Sequence, residues 1–253
     1  MLSRARDWAF GIYAMLLFLI LGLWTLLALL LLPGIDRRRA FARGAARAFL
    51  RLAGMPVRVV NPERLPATQC VVVSNHASYL DGVVFTAALP PRFGFVIKRE
   101  MNDVPLAGLL LRRLGSEFVE RFNRNRGAAD ARRVLRNATS GHSLVFFPEG
   151  TFTKIPGLLK FHTGAFVIAA RAGCPIVPAV VRGTRHALPP QGGWPKAGPI
   201  EITLLPPIEA PPAKGTAAAE LRDRAREVIL EELGEPDLTY SGDTVRPPDK
   251  ALG

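Results

Sequence analysis

The sequence predicts an α/β fold: a central, mostly parallel sheet flanked by helices, with an N-terminal hydrophobic membrane-anchoring helix or helical hairpin. Three observations carry this. Beyond Pro56, short β-branched runs alternate with helical segments, the pattern of strand–helix–strand units. The runs Val71-Val72-Val73-Ser74 and Leu144-Val145-Phe146-Phe147 are almost wholly apolar, as strands covered on both faces are. The stretch from Trp8 to Leu32 carries no charge. As a helix it is about 37 Å long at 1.5 Å per residue, enough to cross a bilayer with some tilt.

That first stretch is about twice as long as the apolar part of a cleaved signal peptide, and no small-x-small cleavage site follows it. Gly11 and Gly22 offer places for a bend that would make a hairpin within one leaflet. Arg37, Arg38, Arg39, Arg43, Arg47 and Arg51 follow, an excess of positive charge typical of a cytoplasmic flank. Phe41, Ala45, Ala48, Phe49 and Leu52 share this flank at helical spacing. The segment therefore reads as a basic amphipathic helix suited to an anionic lipid surface. The alternative is a set of individually solvated arginines.

Strands are expected at 57–60, 70–74, 93–97, 117–120, 143–147, 176–181 and 200–204. Helices are expected at 80–88, 106–114, 127–139, 163–172 and 217–233. The domain organisation follows: 1–54 as anchor and basic helix, 55–233 as the α/β domain, and 234–253, polar and proline-containing, as a flexible tail.

Composition excludes several classes. The chain has 253 residues, 49% of them hydrophobic, and a formal charge of +12. It is too apolar to be disordered. Its two cysteines, Cys70 and Cys174, sit in apolar runs without C-x-x-C spacing, so a disulfide scaffold, a zinc ribbon and a cysteine-ligated cluster are not expected. Nucleic acid is the usual partner of a basic chain, but the charges are dispersed and no recognition-helix or RNP pattern occurs. Walker A, G-x-G-x-x-G and G-x-S-x-G motifs are also absent, which removes support for nucleotide binding and for a serine-nucleophile hydrolase.

Two stretches carry chemistry. In the first, the valine run passes directly into Ser74-Asn75-His76-Ala77-Ser78-Tyr79-Leu80-Asp81-Gly82. In open α/β sheets, functional groups collect at the carboxyl ends of strands. His76 and Asp81 are five residues apart, which on a regular helix leaves their side chains about 140° apart. They converge only if His76 lies on the turn and the helix starts near Ser78, which puts Asp81 in the first helical turn, where the helix dipole favours its charge. A carboxylate on one imidazole nitrogen then fixes the tautomer and leaves the other nitrogen to act as a general base. The bland reading is a His and an Asp that cap the turn independently. A metal site would need further ligands, and His142, His162 and His186 are distant in sequence. In the second stretch, Phe146-Phe147-Pro148-Glu149-Gly150-Thr151, another buried strand ends in a polar turn. It either makes that turn or presents an acid beside His76.

Together these blocks resemble the 1-acyl-sn-glycerol-3-phosphate acyltransferase (lysophospholipid acyltransferase) family. The blocks are Asn75-His76 with Asp81, Phe147-Pro148-Glu149-Gly150-Thr151, Lys98-Arg99-Glu100-Met101, Val104-Pro105 through Arg121, and Pro175-Ile176-Val177-Pro178. The likeness covers about residues 55–205. It implies transfer of an acyl group from an acyl-coenzyme A or acyl carrier protein thioester, a co-substrate rather than a cofactor, to the hydroxyl of a lysophospholipid held in the membrane. His76 is then the base and Asp81 its orienting partner. Asn75, Glu149, Gly150 and Thr151 fall to the acceptor site, with Lys98 and Arg121, each following an expected strand, and Lys154 as candidates for the acceptor phosphate. No metal is implied. The implied location is the inner (cytoplasmic) membrane, with the catalytic domain facing the cytoplasm.

The chain departs from the family pattern at Phe152, where an arginine is usual, and at Phe161-His162-Thr163-Gly164, where a basic residue is usual. An aromatic ring cannot replace a bidentate phosphate donor, and Lys154 offers only a point charge. Another lysolipid, such as a lyso-ornithine lipid or a larger lysophospholipid, fits the same chemistry. A non-catalytic lipid-binding module and a hydrolase that uses His76 and water are the readings from other classes.

Overall fold

The computed structural model describes residues 2–120, 124–190, 192–212 and 214–239. The chain begins with helices α1 (Leu2–Leu31) and α2 (Ile35–Leu52), then β1 (Val57–Val60), β2 (Val71–Ser74) and α3 (Asp81–Ala88). Next come β3 (Phe93–Lys98), α4 (Ala107–Arg113), β4 (Glu117–Val119), α5 (Arg124–Thr139) and β5 (Ser143–Phe146). The rest is α6 (Gly164–Ala172), β6 (Ile176–Arg182), α7 (Thr184–Ala187), β7 (Ile200–Leu204) and α8 (Ala217–Leu233).

The strands form one sheet in the order β1-β7-β6-β2-β5-β3-β4. Five strands from β6 to β4 run parallel, while β7 is antiparallel to β6 and parallel to β1. The fold is thus the mostly parallel α/β class that the sequence predicts. Side chains alternate across a strand, and β2 shows the consequence. Val72 faces a core with α2 and α3, whereas Val71 and Val73 face a second core with α5, α6 and α8. All three valines are fully buried, which explains a strand without polar alternation.

Helix α1 is continuous through Gly11 and Gly22, so neither glycine bends it. At Gly11 the indole of Trp194 lies so close that an added Cβ would sit 2.6 Å from its ring. Residues 6–31 form a helix long and apolar enough to cross a membrane by length and composition. Ala14, Thr25, Leu26 and Leu29 are buried against the protein, while Trp8, Leu16, Leu19, Ile20, Leu23 and Trp24 are exposed.

Helix α2 differs from expectation in the face it uses. The buried positions are Ala42, Ala46, Phe49 and Leu50, whereas Ala48 and Leu52 are exposed. The core-facing stripe is rotated by one residue from the one read in sequence, and it packs on α3. This face therefore serves the protein core and is not free for a lipid surface. The arginines follow the same logic. The last carbonyls of a helix have no partner within it, and α2 supplies partners across the chain. Arg47 Nε donates to Ala87 O at 2.8 Å and Arg43 to Ala88 O at 3.4 Å, both at the end of α3. Arg39 donates to Leu114 O at 3.0 Å and Gly115 O at 3.4 Å, just beyond the end of α4, and to Arg92 O at 3.2 Å, just before β3. Arg38 and Arg113 treat the end of α1 alike, at Leu32 O, Leu29 O and Leu30 O.

The first residues of the expected flexible tail are instead docked. Leu158 N donates to Pro236 O at 2.9 Å and Leu238 N to Leu158 O at 3.0 Å, because an extended strip at 157–159 offers backbone groups that need partners. Residues 240–253 lie outside the described residues.

Arg39 is 9% exposed, and its removal leaves three carbonyls short of a donor. Arg39→Ala is expected to lower unfolding stability by about 2–3 kcal/mol, the usual range for hydrogen bonds to a charged group. Arg51→Ala, at an exposed position on the same helix, should change it by less than about 0.5 kcal/mol. Denaturant titration in detergent checks both.

Candidate active site

The carboxyl end of β2 lies between those of β6 and β5, and the chain leaves it through 75–80 to reach α3. This loop is short and buried, so its backbone groups need partners from within the chain. Asn75 fills such a gap. Its Oδ1 accepts from Val181 N at 2.8 Å and its Nδ2 donates to Val181 O at 3.0 Å. The side-chain amide thus continues the β2–β6 ladder where the backbone turns away. Ser78 Oγ donates to Leu188 O at 2.8 Å, just beyond α7, and accepts from Leu80 N at 3.2 Å.

Asp81 is the first residue of α3 and is fully buried. Its Oδ2 accepts from His76 Nδ1 at 2.7 Å, Ala77 N at 2.8 Å and Ser78 N at 3.0 Å. The convergence that five-residue spacing requires is achieved as expected, with His76 on the turn and Asp81 in the first helical turn. Because a carboxylate only accepts, the proton of neutral His76 is on Nδ1, and Nε2 carries the free lone pair. The His76 side chain is 19% exposed. Its ring stacks on Phe147 at 4.5 Å between centroids, and Phe152 meets it edge-on at 4.7 Å. Tyr79 also meets Phe152 edge-on, at 4.7 Å.

Residues Phe147 to Gly150 form a tight turn closed by Gly150 N to Phe147 O at 3.0 Å, with Gly150 at φ 76°, a conformation that suits glycine. The turn aims Glu149 inward. Glu149 Oε1 accepts from His76 N at 2.6 Å and Oε2 from Leu159 N at 2.8 Å, and the residue is 4% exposed. Burial pushes the carboxyl up to about 8, against the two backbone donors and Arg185, which favour its charged form, while Asp81 adds to the rise.

Two of the expected acceptor-site residues point inward. Asn75 and Glu149 are buried, and both polar ends of each bond to this chain's own backbone. In this arrangement they brace the loop that carries His76. Lys98 ends β3, two strands from β2, which is about 10 Å at strand spacing. Thr151 and Lys154 are exposed on the segment after the turn. Arg121 lies outside the described residues. The structure thus brings His76, Asp81 and Glu149 into contact, with Lys98 at the end of β3 and Thr151 and Lys154 on the loop after β5, on the same carboxyl side of the sheet. Among the described residues, no group of three or more His, Cys, Asp or Glu is arranged for a metal ion.

Sequence reading missed Ser78, Arg185 and the aromatic setting of His76. Ser78 carries a local signal, a hydroxyl three residues before a helix start. The stacking of Phe147 and Phe152 on His76 depends on strand order and has no local signal.

The acyltransferase family model matches residues 56–182, half of the chain. The chain belongs to the acyltransferase family. The 1-acyl-sn-glycerol-3-phosphate acyltransferase of Saccharomyces cerevisiae is 29% identical over 203 residues, 78% of this chain and 66% of its own length. A chloroplastic 1-acyl-sn-glycerol-3-phosphate acyltransferase of Brassica napus, BAT2, is 33% identical over 174 residues, 68% of this chain and 49% of its own. The chain thus spans between about half and two thirds of these relatives' lengths. The crystal structure of the acyltransferase PlsC from Thermotoga maritima shares the fold, with a TM-score of 0.75 and 22% identity. That similarity covers 91% of this chain and 96% of the PlsC chain. The matched region runs from just before β1 to the end of β6 and contains both His76 and Glu149.

The raised Glu149 carboxyl has a signed consequence. Between about pH 4.5 and 8 the folded state keeps a proton that the unfolded chain has released, so stability falls as pH rises through that window. Denaturation in detergent at a series of pH values should show this slope. Glu149→Gln, which does not titrate, should flatten it, whatever the variant's baseline stability.

Proposed function

We propose that the chain is a membrane-bound O-acyltransferase that moves a fatty acyl group from an acyl thioester to the hydroxyl of a lysophospholipid. The acceptor is 1-acyl-sn-glycerol-3-phosphate and the product phosphatidic acid, the chemistry in the names of its relatives. The observation that carries the reading is the His76 Nδ1–Asp81 Oδ2 contact at 2.7 Å, which leaves Nε2 as a base at the carboxyl edge of the sheet.

In this reading Nε2 takes the proton of the lysolipid hydroxyl as its oxygen attacks the thioester carbonyl. The tetrahedral intermediate collapses, the carbon–sulfur bond breaks, and the imidazolium returns the proton to the departing thiolate. Asp81 holds the tautomer and supports the transient positive charge on the ring. No acyl-enzyme forms, and the buried Cys70, whose thiol burial pushes up to about 11, has no part. No cofactor is needed, and the donor is acyl-coenzyme A or acyl carrier protein. Lys98, Lys154 and Arg121 are the basic residues proposed for the acceptor head group, with Gly150 and Thr151 shaping its approach.

A lipid acceptor also accounts for the exposed apolar side chains at this edge. Tyr79, Val104, Leu106 and Ile155 are all more than 40% exposed, and all lie on loops that follow β2, β3 and β5. With α1 in the bilayer, the site opens toward its substrate. The proposed location is the inner membrane, with the domain on the cytoplasmic side. A second reading, acylation of a different lysolipid, is favoured by Phe152, whose apolar ring stands against His76.

Thiol release from acyl-coenzyme A and acyl carrier protein thioesters, with a panel of lysolipids in detergent, tests the proposal. Acceptor-dependent release is expected, with lysophosphatidate the best acceptor; a preference for a larger head group would select the second reading. His76→Ala should lower kcat by about 10²–10⁴-fold or more, the usual contribution of a general base. Asp81→Asn should cost at least about 10²-fold, because a neutral amide cannot support the positive charge that forms on the ring. Full activity in His76→Ala would overturn the mechanism.

A further inference from the structure

We propose that Glu235, just beyond α8, is a positioning residue for His76 that acts through the 157–159 strip and Glu149. The inference rests on the acyltransferase reading of His76 and adds to the site a segment outside the family match.

The connection is a series of short contacts. Glu235 accepts from Gly157 N at 2.6 Å and is gripped by both ends of the Arg185 guanidinium, at 2.7 and 3.1 Å. The next residues pair on both sides of Leu158, through Pro236 O and Leu238 N. Arg226 closes the other flank. It donates to Leu158 O at 2.9 Å and Leu159 O at 3.1 Å and pairs with Asp237, whose carboxyl it holds well below the usual carboxylate range. Leu158 is fully buried, so these contacts fix the strip in direction as well as place. Its next amide, Leu159 N, meets Glu149 Oε2, and the other oxygen of that carboxyl group takes His76 N.

The fit has no slack. Gly157 sits at φ 143°, and a Cβ there would lie 2.4 Å from Leu238 Cγ and 2.9 Å from Pro236 O. Arg185 belongs to the short α7, and Leu188, next to that helix, takes the Ser78 hydroxyl. The same short stretch of chain therefore steadies the His76 loop from one side and Glu235 from the other. Without Glu235, Gly157 loses its acceptor and the Arg185 charge loses its partner. The Glu149 carboxyl group then has a looser frame from which to hold the His76 backbone.

The test compares Glu235→Ala, Glu235→Gln and Gly157→Ala with the full-length protein in detergent, well below each variant's thermal midpoint. Asp223→Asn, which alters an exposed ion pair with Arg222 on α8, is the control. Two readouts are taken: kcat and KM for the acyl thioester, and the titration of the His76 ring by NMR, assigned against His76→Ala. Glu235→Ala and Gly157→Ala are expected to lower kcat about 10-fold or more with KM within about two-fold, and to shift the His76 titration midpoint. Glu235→Gln, whose amide oxygen still accepts from Gly157 N, should recover part of kcat. A lower thermal midpoint with kcat and the His76 titration unchanged would overturn the proposal and leave Glu235 a purely structural tie. If the wild-type protein turns over no thioester, the acyltransferase reading fails. The His76 titration then still decides whether Glu235 acts on His76.

Discussion

The site depends on one oxygen atom. Asp81 Oδ2 receives the His76 imidazole and two consecutive loop amides, and it does so from the first turn of a helix. A buried carboxylate is costly unless its charge is met by donors. Here the donors are the groups whose placement matters for chemistry. Meeting the charge at Oδ2 and orienting the base are therefore the same event, while the other oxygen, Oδ1, is buried without a partner among the described residues. The length of the turn, the start of α3 and the tautomer of His76 follow from it.

Around this centre, polar side chains act as substitutes for backbone. Asn75 completes a strand pairing with Val181, Glu149 joins two loops through their amides, and Ser78 ties one loop to another. The arginines of α2 do the same at the ends of α3 and α4. Part of the strong positive charge is thus spent inside the molecule, on carbonyl oxygens that the helices leave without partners. Net charge is accordingly a poor guide to what this chain binds.

The same substitution explains what was legible in the sequence. The strands could be read because buried β-branched runs need no information beyond themselves, and all seven occur where expected to within a residue or so. His76 and Asp81 could be read because their partnership is local. The roles of Asn75 and Glu149 could not, since a motif shows that a residue is polar without showing whether its lone pairs face a ligand or the backbone. The buried face of α2 was misjudged by one position because its arginines find their carbonyls 40 to 76 residues away. The docked start of the tail was invisible for a similar reason: Glu235 meets Arg185 across 50 residues.

The joint between the first two helices has a mechanical meaning. The turn at 32–34 is clamped by Arg38 and Arg113, α1 lies along the domain, and α2 is embedded in its core. Nothing here behaves as a tether. On the proposed reading the domain cannot swing or rise on a leash to search the surface, so the height of the imidazole above the acyl chains is a fixed dimension of the molecule. Encounter is then a two-dimensional problem: lipids drift sideways past a stationary aperture. The hydroxyls within reach are those that the leaflet presents at that one depth.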